Sequence, residues 1–151
     1  MFAEYNTDNF PVVYVTFSGK INSEEEFDDF LQSWLDLYHD QEEFSFIFDT
    51  REMSYPDLKY CFKMAFFIKR LRKESYHYLQ KSLILVNDNR IKRLLDIVFT
   101  MQSPVAPVYL WLTEETDEST IHQKLLDSNE GDEGDEDTIY IEPNKSLIPF
   151  L

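Results

Sequence analysis

Three acidic side chains, Asp49, Asp88 and Glu114, lie at or just past the ends of predicted β-strands. Ligands of open α/β sheets bind at the carboxyl ends of the strands, so these side chains could converge there. Three carboxylates in one place could hold Mg²⁺ or act as an acid and a base. The simpler interpretation is that they cap helices and solvate loops. We favour the simpler interpretation because no phosphate-binding loop or nucleophile motif accompanies them.

The other residues capable of chemistry are few and scattered. His39, His77 and His122 do not have the spacing of metal ligands, either among themselves or with Cys61, the single cysteine. Cys61 lies among apolar residues, so we expect a small buried side chain and not a reactive thiol. Three glycines are too few for a backbone cradle around phosphate. The sequence therefore predicts a protein that is not an enzyme and that uses no metal or cofactor.

Basic residues form the most informative charge pattern. Residues 59–93 hold ten basic and two acidic residues, although the whole chain carries a net charge of −15. Lys69, Arg70, Arg72 and Lys73 end one predicted helix, and Arg90, Lys92 and Arg93 begin the next. If the two helices are neighbours, these side chains form one cationic surface that binds a partner or an anion. The negative net charge argues against binding to nucleic acid, which leaves an acidic protein, an anionic lipid or the chain's own acidic segment.

The elements that would position these residues alternate between strands and helices. Strands are predicted near residues 2–6, 10–17, 44–48, 82–86 and 108–112, and helices near 23–40, 57–73, 89–101 and 119–126. In the first helix, Phe27, Phe30 and Trp34 recur at helical spacing after a capping serine, Ser23. In the second helix Asp57 can serve as the cap, and the apolar set at helical spacing is Leu58, Cys61, Phe62, Ala65, Ile68 and Leu71. The alternation predicts an α/β fold with a mostly parallel sheet of four to five strands, an antiparallel edge hairpin and about four helices.

The composition divides the chain into three parts. Residues 1–128 are predicted to form one domain, residues 129–137 an acidic flexible linker, and residues 138–151 an apolar C-terminal tail. We expect the linker to screen the basic surface and the tail to dock on the domain, for which the aromatic face around Phe66 and Phe67 is a candidate groove. The single cysteine and the absence of an apolar run of membrane-spanning length predict a cytoplasmic location.

Three segments of the chain carry a resemblance to a known family. They are residues 13–21 (VYVTFSGKI), residues 46–49 (FIFD) followed by Met53, Ser54, Tyr55 and Asp57, and residues 83–87 (LILVN) with the helix after them. In these segments the sequence resembles the STAS family (the sulfate-transporter and anti-sigma-factor-antagonist domains), including its SpoIIAA-like members. The resemblance extends over residues 2–126 and implies a STAS-like fold and a protein-binding role.

The regulatory loop of the signalling members is altered here. In those members a phosphorylatable serine or threonine directly follows the second aspartate of the loop. Asp49, Ser54, Tyr55 and Asp57 match the loop, but Leu58 follows Asp57. The resemblance therefore implies a binding domain without the phosphorylation switch.

Three classes of function remain at this point. The first is a non-catalytic adaptor that binds another protein, with a homodimer left open. The second is a binder of a lipid surface or a small apolar ligand through the basic 59–93 surface. The third is a hydrolase or metal-dependent enzyme that uses the strand-end carboxylates.

Overall fold

Strands and helices alternate along most of the chain in the computed structural model, which describes residues 2–73, 77–129 and 137–143. The strands are β1 (Ala3–Asn6), β2 (Val12–Gly19), β3 (Phe44–Met53), β4 (Leu79–Val86), β5 (Val108–Leu112) and β6 (Thr138–Ile141). The helices are α1 (Glu24–Asp36), α2 (Lys59–Lys73), α3 (Asn89–Met101) and α4 (Glu118–Asp127). The protein is thus an α/β protein with one mixed sheet, and four helices lie in the described part.

The strand order in the sheet is the same as the order in the chain. Strands β2 to β5 are parallel, while β1 and β6 lie antiparallel at the two edges. The sequence predicted four to five strands, and the sixth strand, β6, was taken as part of the tail. It pairs with β5 from Trp111↔Thr138 to Val108↔Ile141. Four residues after an acidic run give too weak a pattern to predict a strand, and pairing with β5 supplies the missing hydrogen bonds.

The helices cover both faces of the sheet. Right-handed crossovers between consecutive parallel strands place α1, α2 and α3 on one face, called here the helical face. Phe46 and Phe48 of β3 point to the helical face and pack in the same core as Trp34. On the opposite face, Ile121 and Leu125 of α4 pack in a second core with Ile47 and other side chains of the central strands.

The start of α1 agrees with the sequence prediction. The Ser23 hydroxyl accepts a hydrogen bond from the Glu26 backbone N–H at 3.2 Å, which satisfies one of the free donors of the first turn. Phe27, Phe30 and Trp34 are buried, as the helical spacing predicted. The buried aromatic stripe fixes the side of α1 that faces the sheet.

Strand β3 is longer than predicted. The sequence placed its end at Asp49, but pairing with β2 continues to Gly19↔Met53. Gly19 has a positive φ of 67°, which glycine adopts without the strain that a side chain would cause. The extension places Asp49 inside the strand, so the sequence was wrong to locate this carboxylate at a strand end.

Candidate functional site

The solvent-facing side of α2 carries an unusual row of apolar side chains. Leu58, Phe62 and Phe66 are 50%, 46% and 59% exposed. Their spacing of four residues places them in one row along the helix, about 12 Å long. Phenylalanine and leucine are rarely left so exposed together unless a partner covers them.

Basic side chains continue this row towards the C-terminal end of α2. At 100° per residue, Lys69, Arg70 and Lys73 fall on the same side of the helix as Phe62 and Phe66. No ion pair to Lys69, Arg70 or Lys73 is formed within the part of the chain that the structure describes. We call these six residues, Leu58, Phe62, Phe66, Lys69, Arg70 and Lys73, the α2 outer face.

The sequence prediction for α2 was correct on one side and wrong on the other. Cys61, Ala65, Ile68 and Leu71 are buried against the sheet as expected. Leu58 and Phe62, which were grouped with them, are exposed. Residues 58–71 contain more apolar side chains than one buried helix face can hold. This excess was the signal in the sequence for a second, outward-facing apolar row.

Other basic residues of α2 form ion pairs or hydrogen bonds with neighbouring parts of the protein. Lys59 and Lys63 bridge to α1, with Lys59 Nζ 3.4 Å from a Glu24 carboxylate oxygen and Lys63 Nζ 2.8 Å from one of Asp28. The hydrogen bond to Asp28 raises the pKa of Lys63. Arg72 donates to the Ser103 carbonyl oxygen at 3.4 Å. These side chains therefore hold α1 and the loop before β5 against α2.

The second predicted basic group lies at the other end of the helix layer. Both α2 and α3 follow the carboxyl end of a strand, so they run parallel to each other and begin at the same edge of the sheet. Arg90, Lys92 and Arg93 are at the start of α3, whereas the basic residues of α2 are at its end, about 20 Å away along the axes. The structure therefore does not bring the two groups together into the single cationic surface that the sequence suggested.

Two residues of the α3 group are also paired locally. Arg90 lies 3.0 Å from an Asp88 carboxylate oxygen, and Lys92 lies 3.4 Å from one of Asp96. Asp88 caps α3 by accepting a hydrogen bond from the Arg90 N–H, and the pKa of Asp88 is lowered by its hydrogen bonds with Arg90. Only Arg93 of this group has no ion pair among the residues placed by the structure.

The three predicted strand-end carboxylates have separate roles. Asp49 forms a two-point ion pair with Arg51, with Nε–Oδ1 and Nη2–Oδ2 distances of 2.9 Å each. Asp88 is the α3 cap, as the simpler interpretation predicted. The hydrogen bond with Asp49 is the main cause that raises the pKa of Arg51, and the negative charge of Glu114 adds a smaller effect. Within the described ranges, no three His, Cys, Asp or Glu side chains are grouped so that they could hold a metal ion.

Sequence reasoning missed Arg51. Its Nη1 also donates to the Glu115 carbonyl oxygen and, at 3.5 Å, to that of Thr113. The Asp49 and Arg51 side chains are only 15% and 12% exposed. The signal was available, because residues two apart in a strand point to the same side and opposite charges there can pair.

The loop that resembles the family's regulatory loop lies beside the start of α3. The Ser54 N–H donates to the Gly19 carbonyl oxygen at 2.8 Å, and the Tyr55 ring lies 6.0 Å from Arg90 Cζ. Asp57 accepts a hydrogen bond from the Tyr60 N–H through its backbone carbonyl. Its side chain accepts no hydrogen bond from the described residues, so it is not the cap that the sequence predicted. Ser54, Tyr55, Asp88 and Arg90 line one shallow polar depression.

Cys61 is buried on the side of α2 that faces the sheet, and burial raises the pKa of its thiol. Less thiolate is then present at neutral pH, and the folded chain blocks attack on the sulfur. We expect iodoacetamide to alkylate Cys61 on the order of tenfold more slowly in the native protein than in urea-unfolded protein. Mass spectrometry of timed samples measures both rates. Equal rates would contradict the burial of this thiol.

The predicted linker and most of the predicted tail fall outside the described residues. Of residues 129–137 only Asn129 and Asp137 are described, and the tail is described as far as Pro143. The described start of the tail is β6, which lies beside β5 at the sheet edge and not on the aromatic side of α2. Phe67, named as part of that candidate groove, is buried in the core.

Comparison with known proteins adds no functional assignment. No protein-family model, curated protein or solved structure matches the chain. Among the described helices, none is long and apolar enough to cross a membrane. A function must therefore be argued from the geometry of the described side chains.

Proposed function

We propose that the protein is a non-catalytic binding domain whose α2 outer face binds another protein. The observation that supports this most directly is the exposed row formed by Leu58, Phe62 and Phe66. Lys69 and Arg70 follow it and form no ion pair with any residue that the structure describes. Aromatic residues and arginine are enriched in protein interfaces and supply most of their binding energy. The resemblance to STAS domains supports the same class of function.

Charge complementarity defines the chemistry of the partner. An apolar row that ends in cationic side chains fits a segment with apolar side chains at one end and carboxylates at the other. An anionic membrane fits less well, because α1 packs beside α2 and exposes Glu24, Glu25, Asp28 and Asp29. Repulsion between these carboxylates and lipid phosphates opposes the attraction of a few basic residues.

An enzymatic role has weaker support in the geometry. Asp49 is paired with Arg51, Asp88 is used as a helix cap, and no three acidic side chains of the described residues are grouped closely enough to hold a metal ion. A general acid or base needs a carboxylate that is free to exchange a proton with substrate. We therefore favour binding over catalysis.

A photo-reactive phenylalanine analogue at position 66 tests the proposal in the protein's own cells. The same analogue at Leu126, which is 51% exposed on α4, is the matched control. We expect a defined protein to crosslink at position 66 and not at position 126, and mass spectrometry identifies it. Crosslinks to lipid, or equal crosslinking at both positions, would contradict the proposal, and crosslinks to a second copy of the chain would redirect it to homodimer formation.

The affinity of the identified partner then tests the residues of the surface. We expect the double substitution Phe62→Ser and Phe66→Ser to weaken binding by at least about tenfold, since each truncated anchor costs more than about 1 kcal/mol. Lys69→Glu with Arg70→Glu should weaken binding more at low salt than at high salt. Leu126→Ser should leave the affinity unchanged. Calorimetry with the purified partner measures the affinities of the unaltered protein and of the three variants. An unchanged affinity of the phenylalanine variant would show that the α2 outer face is not the binding site.

A further inference from the structure

A cavity of about 150 Å³, partly open to solvent, lies between the helical face of the sheet and the layer formed by α1, α2 and α3. Its lining comes from all three helices and from the central strands. The lining includes Phe17, Phe30, Trp34, Phe48, Leu94 and Val98. The cavity is distinct from the α2 outer face, because its lining faces the core and not solvent.

Three small side chains leave this space open. Cys61 of α2, Ser82 of β4 and Ala106, two residues before β5, line the cavity and are 4%, 3% and 5% exposed. Ser82 lies between Phe46 of β3 and Val108 of β5 in the sheet register. A serine at the centre of an otherwise apolar sheet face is smaller than its site. Protein cores are normally packed without voids of this size, because an unfilled void costs stability.

The Ser82 hydroxyl makes no hydrogen bond to any residue in the described ranges. Thr50, the neighbouring hydroxyl on the lining, is different, because it donates to the Leu85 carbonyl oxygen at 2.7 Å. Because Ser82 lines the cavity, a bound molecule can supply the hydrogen bond that its hydroxyl lacks among the described residues. The cavity thus presents one free hydroxyl in an apolar wall.

Water is a poor occupant of such a space. An ordered internal water needs two to four polar partners, and the described lining offers one free hydroxyl. Apolar cavities of about this volume stay dry and take up molecules the size of benzene. The volume of the cavity and its one free hydroxyl therefore both favour a small apolar molecule with one polar group.

We propose that this cavity binds a small apolar molecule of about one ring that carries a single hydrogen-bonding group, which pairs with the Ser82 hydroxyl. The half-buried side chains of Met53, Pro56 and Met64 line the cavity near the surface. Methionine side chains rearrange easily, so they provide a path for the ligand between the loop before α2 and the helix itself. Binding here does not depend on the α2 outer face.

Fluorobenzene and 4-fluorophenol test the proposal, because they share a ring and differ in one hydroxyl. Titration followed by ¹⁹F NMR should give dissociation constants below about 1 mM for both in the unaltered protein. In the Ser82→Ala variant, the affinity for 4-fluorophenol should fall about fivefold or more while that for fluorobenzene changes less than twofold. Ser45→Ala, on the opposite face of β3, is the matched serine control and should change neither.

Filling the cavity gives the second part of the test. Ser82→Leu should abolish binding of both compounds, and Ala106→Ile provides an independent filling variant should Ser82→Leu fail to fold. Near-ultraviolet circular dichroism checks the fold of each. The proposal is overturned by an absence of binding to the unaltered protein at 1 mM ligand, by binding that persists in a folded filling variant, or by equal effects of Ser82→Ala on both compounds.

Discussion

Replacement of Trp34 by alanine should lower the free energy of unfolding by about 4 kcal/mol. The indole is 6% exposed and packs against Phe46, Phe48 and Phe67, with ring centroids 4.9, 5.5 and 5.2 Å away. Its Nε1–H donates to the Tyr38 hydroxyl at 3.1 Å. The substitution removes these contacts and the hydrogen bond to Tyr38, and it opens a void between α1 and the sheet.

Urea unfolding followed by far-ultraviolet circular dichroism measures this loss. Trp111→Ala is the matched control, because Trp111 is only partly buried on the opposite face of the sheet. We expect the control to lose less than half as much stability. A loss below about 2 kcal/mol for Trp34→Ala would show that α1 does not pack through this face.

Replacement of Arg51 by methionine should cost about 3 kcal/mol. Methionine keeps much of the aliphatic volume but removes every donor. The Asp49 carboxylate, 15% exposed, then loses both of its hydrogen bonds from the guanidinium, and the Thr113 and Glu115 carbonyl oxygens lose theirs. Most of the lost stability comes from leaving the Asp49 carboxylate without its cation, and only a small part from the net stabilisation that the ion pair provides.

A double substitution separates these two contributions. Arg51→Met combined with Asp49→Leu should recover a large part of the stability lost by Arg51→Met alone, because no charge is then left unpaired. Arg90→Met is the control, since the Arg90–Asp88 pair lies at the surface and its loss should change stability little. Chemical unfolding of these three variants and of the unaltered protein gives the comparison. If Arg51→Met lowers the free energy of unfolding no more than Arg90→Met does, the Asp49–Arg51 pair does not hold β3 to the loop after β5.

Local sequence patterns predicted an element correctly where its apolar side chains lie on one face only. The spacing of Phe27, Phe30 and Trp34 predicted the buried side of α1, and Ser23 and Asp88 were identified as helix caps. These features depend on side chains within a few residues of one another. The alternation of strands and helices predicted the α/β class for the same reason.

Features that depend on distant parts of the chain were not predictable in this way. The β6 strand forms because β5 offers an edge, and α2 has apolar side chains on two sides, so periodicity alone could not decide which side is buried. The cavity depends on Cys61, Ser82 and Ala106, which are separated in the sequence and meet only after folding. The candidate site is therefore a property of tertiary packing more than of any motif.

The sequential order of the strands has a consequence for how the chain folds. Every strand pairs with the strand that precedes it in the sequence, so each new unit adds to an edge that already exists. This order gives the shortest crossovers that a parallel sheet allows, and it suits assembly from the N-terminal end as the chain leaves the ribosome. Until β6 arrives, however, the growing sheet always ends in an open, mostly apolar strand that could pair with another chain. β6 covers the apolar edge of β5 and leaves in its place an edge strand of only four residues. Such a short edge offers little backbone for another chain to pair with, which lowers the tendency of the finished protein to aggregate.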